Sequence, residues 1–244
     1  MSLYYLSSDN GIANMKQKTL NNDEKTVKLT KKQRASEAVR ILTEIYPDAE
    51  CALNYKGDPW KLLVMARLSA QCTDARVNLV CETLFEQLPT MEAMANADIS
   101  LIEELVHSCG LYRMKAKDLK EMSRQLIEDF GGQVPSDMDA LLSLSGVGRK
   151  IANLIRGDLY QLPAIVADTH CIRICGRLGF YPESLKDPVK VERELVKIIE
   201  PSEQSNFCHR IVLFGRETCS ARSPKCEICP LNTICKKYAK EHKI

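Results

Sequence analysis

The chain has 244 residues, a net charge of +2, 45% hydrophobic residues and 27% charged residues. This is ordinary globular usage, with length for a real core in one or two domains, and it excludes a wholly disordered chain. No run of about 18 apolar residues occurs, so no helical membrane span is expected.

The N-terminal stretch MSLYYLSSDNGIANMKQKTLNNDEK has no apolar centre of signal-peptide length. Residues 1–30 are polar and aperiodic, and a flexible extension is expected there. Eleven Cys in such a chain point to a reducing compartment, expected to be a bacterial cytoplasm with its nucleoid. The scattered thiols are expected to behave as small buried hydrophobes. A monomer is expected.

From Lys32 onward the pattern is helical. Trp60 to Ala70 is apolar on most sides and suits a buried helix. From Lys115 to Phe130, the residues Leu119, Met122, Leu126 and Phe130 recur at helical spacing. Val191, Leu195 and Ile199 stand four apart between Leu185 and Glu200. Pro47, Pro59, Pro135, Pro163, Pro182 and Pro201 fall between these segments, where helices end. No alternating apolar run is bounded by hairpin-turn residues. The fold class expected is all-α.

Residues 135–180 are the most informative. Ser136, followed three positions later by Asp139, resembles a cap for a short helix through Leu144. Ser145-Gly146-Val147-Gly148-Arg149 breaks that helix, and Lys150 opens another with Ile151, Leu154 and Ile155 on one side. Gly146 and Gly148 allow positive φ and close backbone approach. Unpaired N–H groups at the second helix's start favour an anion, for which a DNA phosphate is the obvious candidate. An ordinary helix–helix corner is the plainer alternative.

Toward the C-terminus Arg210, Arg216, Arg222, Lys225, Lys236, Lys237, Lys240 and Lys243 stand against Glu217, Glu227 and Glu241. This excess is a candidate anion-facing surface or a solvated tail. Cys219, Cys226, Cys229 and Cys235 follow the spacing C-x6-C-x2-C-x5-C. Four thiolates so close suggest a metal site, and sulfur-only ligation suits zinc or an iron–sulfur cluster alike.

Taken together, SGVGRKIAN, ADTHCIRICGRLG, LSAQCTDARVN, CGLYRMKAKDL, GRETC and the cysteine cluster resemble the endonuclease III family of helix-hairpin-helix DNA glycosylases. The resemblance runs from about Arg34 to Tyr238. It implies a base-excision repair glycosylase with AP lyase activity on damaged pyrimidines in duplex DNA and on abasic sites. It also implies a two-lobed helical fold: a six-helix barrel over 52–161, with the hairpin at about 137–158, and a second domain of 31–51 plus 162–244. Lys150 maps onto the family nucleophile, Asp168 onto its catalytic Asp, and Gln71 and Leu111 onto residues that fill the space of an extruded base. The hairpin residues Gly146, Gly148 and Arg149, with Arg222 and Lys225 of the cluster loop, would contact phosphates. The four cysteines match the family's [4Fe-4S] pattern.

Ser145 stands where many relatives have Pro, which predicts a looser hairpin. Adenine glycosylases of the superfamily lack the hairpin Lys and carry an added C-terminal domain, whereas Lys150 is present and the chain ends soon after Cys235. A monofunctional mismatch glycosylase, a non-catalytic iron–sulfur DNA-binding protein and a zinc-ribbon regulator are the remaining alternatives.

Overall fold

The computed structural model describes residues 29–243. The extension expected over residues 1–30 lies outside the described residues as far as position 28. Thr30 already belongs to the fold. Its hydroxyl accepts the Gln33 N–H at 3.2 Å, and its own N–H donates to Gln33 Oε1 at 2.9 Å. This reciprocal cap starts α1 (Lys31–Ile45).

Eleven further α-helices follow, and no strand occurs among the described residues: α2 (Pro59–Leu68), α3 (Asp74–Gln87), α4 (Met91–Asn96), α5 (Ile99–Val106), α6 (Tyr112–Phe130), α7 (Met138–Ser143), α8 (Arg149–Tyr160), α9 (Thr169–Leu178), α10 (Pro188–Val196), α11 (Gln204–Glu217) and α12 (Lys236–His242). Asp58, Thr73, Thr90, Asp98, Asp137, Asp168 and Asp187 each cap a helix by accepting a backbone N–H. The cap of α7 is Asp137 rather than Ser136. Its carboxylate reaches two N–H groups, those of Asp139 and Ala140, at 3.0 Å each. Helix α10 is shorter than the 185–200 segment, because Asp187 and Pro188 start it late.

Two separate cores form. The first buries α2 on nearly every side, with Leu62, Leu63, Val64 and Leu68 at 0% exposure among side chains from α3 to α8. The Trp60 Nε1–H donates to Ser123 Oγ at 3.1 Å, so even its polar edge is satisfied inside. Cutting one such leucine to alanine costs about 2–5 kcal/mol. The second core joins α1 to α9, α10 and α11 through Leu42, Ile174, Leu195, Phe207 and Phe214.

Helices α8 and α11 form a seam between the cores. Gly157 lies against Ser205 so closely that a Cβ there would collide with the hydroxyl. Next to it, Asp158 Oδ1 accepts from Ser205 Oγ at 3.2 Å and from His209 Nε2 at 2.8 Å. Arg149 and Glu192, and Arg216 and Asp74, bridge the same two bodies at 2.7 Å each. A cleft of about 590 Å3 opens beside this seam.

Candidate functional site

The hairpin between α7 and α8 sits on α6. Gly146 has φ +74°, and a Cβ there would meet Arg67 Nε at 2.6 Å and Asp118 Cβ at 2.8 Å. Those two side chains form a largely buried ion pair at 2.6 Å. Gly146 is therefore required twice, for its backbone angle and for this contact. Gly148 differs from the expectation: its φ is −96°, and the space its Cβ would enter is open. Ser145 does not hang loose in place of a proline. Its N–H donates to Gln125 Oε1 at 2.7 Å and its hydroxyl to Asp118 Oδ1 at 3.1 Å.

Helix α8 begins at Gly148 with no side-chain cap, so its first N–H groups face outward unpaired. Arg149 does not offer a free guanidinium as the sequence suggested. It forms a two-point pair with Glu192, at 2.7 and 2.8 Å, leaving only its backbone N–H for an anion. That pair holds the Arg149 guanidinium above its ordinary pKa.

Lys150, one residue on, is exposed and makes no ion pair among the described residues. Its side chain and that of Asp168 line the one cleft, from α8 and from the start of α9. Asp168 is also the cap of α9: Oδ1 accepts the Cys171 N–H at 2.7 Å. Its other oxygen has no hydrogen-bond partner among the described residues. The cap thus fixes the rotamer of a carboxylate that keeps one oxygen available. His170 shares the cleft, and burial holds its imidazole below the ordinary histidine value. Asp168 opposes that shift, while Arg173, Arg216 and Lys150 add to it.

Gln71 and Leu111 occupy two loops at the first core's edge. Both are exposed, Leu111 at 49%. Both have left-handed backbone, φ 55° and 49°, which costs a non-glycine residue about 1 kcal/mol or more. By apolarity alone Leu111 belongs in a core, and the structure instead holds it out in solvent.

The four cysteines line one apolar pocket with Ile174, Leu178, Phe214 and Leu231. Burial pushes the Cys229 thiol up to about 12 and raises those of Cys226 and Cys235. Arg177 donates to Cys219 Sγ at 3.2 Å and to the carbonyls of Ser220 and Ala221. Arg177 Nε and Arg34 Nη1 are buried without a partner. Four sulfurs lining one pocket, beside buried guanidinium nitrogens that lack a partner, are a donor set whose chemistry fits an anionic thiolate-bound cluster. Arg222 and Lys225 are exposed on the surrounding loop.

The sequence reading missed three groups. Asp158 and His209 carry no motif, and only the α8–α11 crossing joins them. Asp158 Oδ2 is buried without a partner, and burial raises the adjacent Cys51 thiol to about 12, the carboxylate adding to the effect. Lys115 is the third. It stands four residues before Leu119, on the apolar stripe of α6, and within the CGLYRMKAKDL segment, which carried the family resemblance without giving this lysine a role.

Comparison with known proteins agrees with this geometry. The family profile described as HhH-GPD superfamily base excision DNA repair protein matches residues 64–201. A second, the iron-sulfur binding domain of endonuclease III, matches residues 219–235, and the chain carries a [4Fe-4S] cluster there. Endonuclease III of Synechocystis is 44% identical over 207 residues, 84% of this chain and 93% of the relative. That of Bacillus subtilis is 41% identical, covering 82% and 90%. Among solved structures, a non-covalent endonuclease III–DNA complex superposes with a TM-score of 0.82 at 39% identity, over 88% of this chain and all of that one. A trapped endonuclease III–DNA covalent intermediate gives 0.82 at 40%, over 88% and 99%. With both profiles matched and these relatives covered nearly end to end, the chain belongs to the endonuclease III family of helix-hairpin-helix base-excision repair proteins.

Proposed function

We propose that this protein is a base-excision repair DNA glycosylase with AP lyase activity, taking oxidised or ring-damaged pyrimidines and abasic sites in duplex DNA as substrates. The observation that carries the reading is the shared cleft: an unpaired lysine from one side and a half-free carboxylate from the other.

The unpaired amides at the start of α8 hold a phosphate at the rim, which brings the sugar of an extruded nucleotide over Lys150. The neutral Lys150 amine attacks C1′ as the base leaves. Asp168, its free oxygen facing the cleft, takes up a proton from the attacking amine and stabilises positive charge on the opening sugar. The C1′–O4′ bond then breaks, O4′ taking up the proton held by Asp168, and the resulting Schiff base acidifies C2′, whose proton is lost as the 3′ phosphate departs by β-elimination. Hydrolysis of the imine returns Lys150. Gln71 and Leu111 occupy the space the base vacated, offsetting an unstacking cost of a few kcal/mol.

Cys219, Cys226, Cys229 and Cys235 would hold the cluster. Bound there, it orders a segment with little core of its own and presents Arg222 and Lys225 to the DNA backbone. An endonuclease III at 40% identity was captured as a covalent intermediate with DNA, the species an attacking lysine forms. A panel of single-lesion duplexes, analysed with and without alkaline treatment, tests the proposal. Nicking without alkali at damaged pyrimidines is expected. Base loss that needs alkali to reveal a nick would instead assign a monofunctional glycosylase.

A further inference from the structure

Lys115 lies in the first turn of α6 at 0% exposure, with no carboxylate partner among the described residues. A buried ammonium needs every proton satisfied. Here all three are: Nζ donates to the carbonyls of Leu68, Ala70 and Cys109, each at 2.8 Å. Those acceptors belong to two separate segments, the end of α2 with the turn after it and the short turn that precedes α6. Leu68 and Ala70 lead into Gln71, and Cys109 leads through Gly110 into Leu111. Each segment runs into a non-glycine residue in left-handed conformation, Gln71 directly after Ala70 and Leu111 two residues after Cys109. Gly110, at φ 68°, lies between the second clamp point and Leu111.

One cation thus ties down both strained turns, and the two exposed side chains project from them. We infer that Lys115 is a positioning residue for base extrusion, joining the Gln71 and Leu111 loops into one rigid wedge. The inference rests on the proposed role of Gln71 and Leu111 in filling the vacated space. A long neutral side chain at 115 would pack in the same volume and release all three carbonyls. Each loop could then relax out of its left-handed turn, and its side chain would enter the duplex at a distribution of angles. Lys150 and Asp168 are untouched by this change, so chemistry on a sugar that has no base to extrude should continue.

The test uses the full-length, cluster-loaded protein and two duplexes, one with a damaged pyrimidine and one with a preformed abasic site. Lys115→Met should lower single-turnover excision of the damaged base by roughly 10- to 100-fold. Its nicking of the abasic duplex should stay within a factor of about 2 of wild type, the scatter of independent sites. Fluorescence of 2-aminopurine placed beside the lesion should report less unstacking. Lys115→Gln keeps two N–H donors on a shorter side chain and should fall between the two proteins, which preserves the test if Lys115→Met does not fold. Combining Leu111→Ala with the Lys115 variant should add little to Leu111→Ala alone, because one acts through the other. Equal losses on both duplexes, or additive losses in the double variant, would overturn the inference while leaving the wedge intact. If Leu111→Ala itself leaves excision unchanged, the wedge reading fails and the inference falls with it.

Discussion

Arg149 and Glu192 grip one another at two points, 2.7 and 2.8 Å, across the gap between the hairpin and α10. The pair couples the lobe that carries Lys150 to the helices that follow Asp168. Arg149→Ala is therefore expected to loosen the lobes rather than remove a phosphate contact. Leaving Glu192 behind, mostly buried and unpaired, should cost about 1–3 kcal/mol in unfolding free energy. The slope of log affinity against log salt should not change. A slope smaller by about 0.9 would show that Arg149 releases Glu192 and binds a phosphate in the complex.

Arg222 and Lys225 should behave in the opposite way. Neither is paired among the described residues, and both are exposed on the cluster loop. Neutralising the two is expected to reduce the salt slope by about 0.9 for each phosphate lost, on damaged and undamaged duplexes alike. Titrations at four or five salt concentrations suffice. An unchanged slope would assign both residues to solubility alone.

Lys150 and Asp168 should separate into distinct roles. Borohydride reduces a Schiff base, so wild-type protein should become covalently attached to lesion DNA. Lys150→Gln should abolish both the trapped species and β-elimination while damaged-DNA binding survives, since the α8 backbone is unchanged. Asp168→Asn should slow both steps by roughly 10²- to 10⁴-fold. An Asn side-chain oxygen still caps α9 by accepting the Cys171 N–H, so the fold should hold. Undiminished trapping by Lys150→Gln would mean that another amine is the nucleophile.

The cluster makes a compositional prediction. Purified protein should hold iron and acid-labile sulfide at about four each per chain, with no stoichiometric zinc. Cys226→Ser should lower both contents and weaken DNA binding with them. Helical content should change little, because all twelve α-helices lie outside residues 219–235. Stoichiometric zinc without sulfide would contradict the assignment.

Much of this protein is local, and local features are legible in a sequence. Helical periodicity located α2, α6 and α8 to within a few residues. Cysteine spacing marks a metal site, but zinc and iron–sulfur fit that spacing equally, and only the wider pattern of motifs separates them. Lys150 and Asp168 carry motifs because their geometry depends on the turn and cap immediately beside them.

Tertiary packing decided the rest. Whether Arg149 meets a phosphate or a carboxylate depends on Glu192, 43 positions away. Whether Ser145 loosens the hairpin depends on Gln125 and Asp118 of α6. Leu111 is apolar yet stands in solvent, because Lys115 and a left-handed turn hold its backbone at the rim. Asp158 and His209 meet only where Gly157 lets α8 and α11 come close. In each case a side chain's partner comes from a distant segment, which the period and spacing of neighbouring residues do not encode.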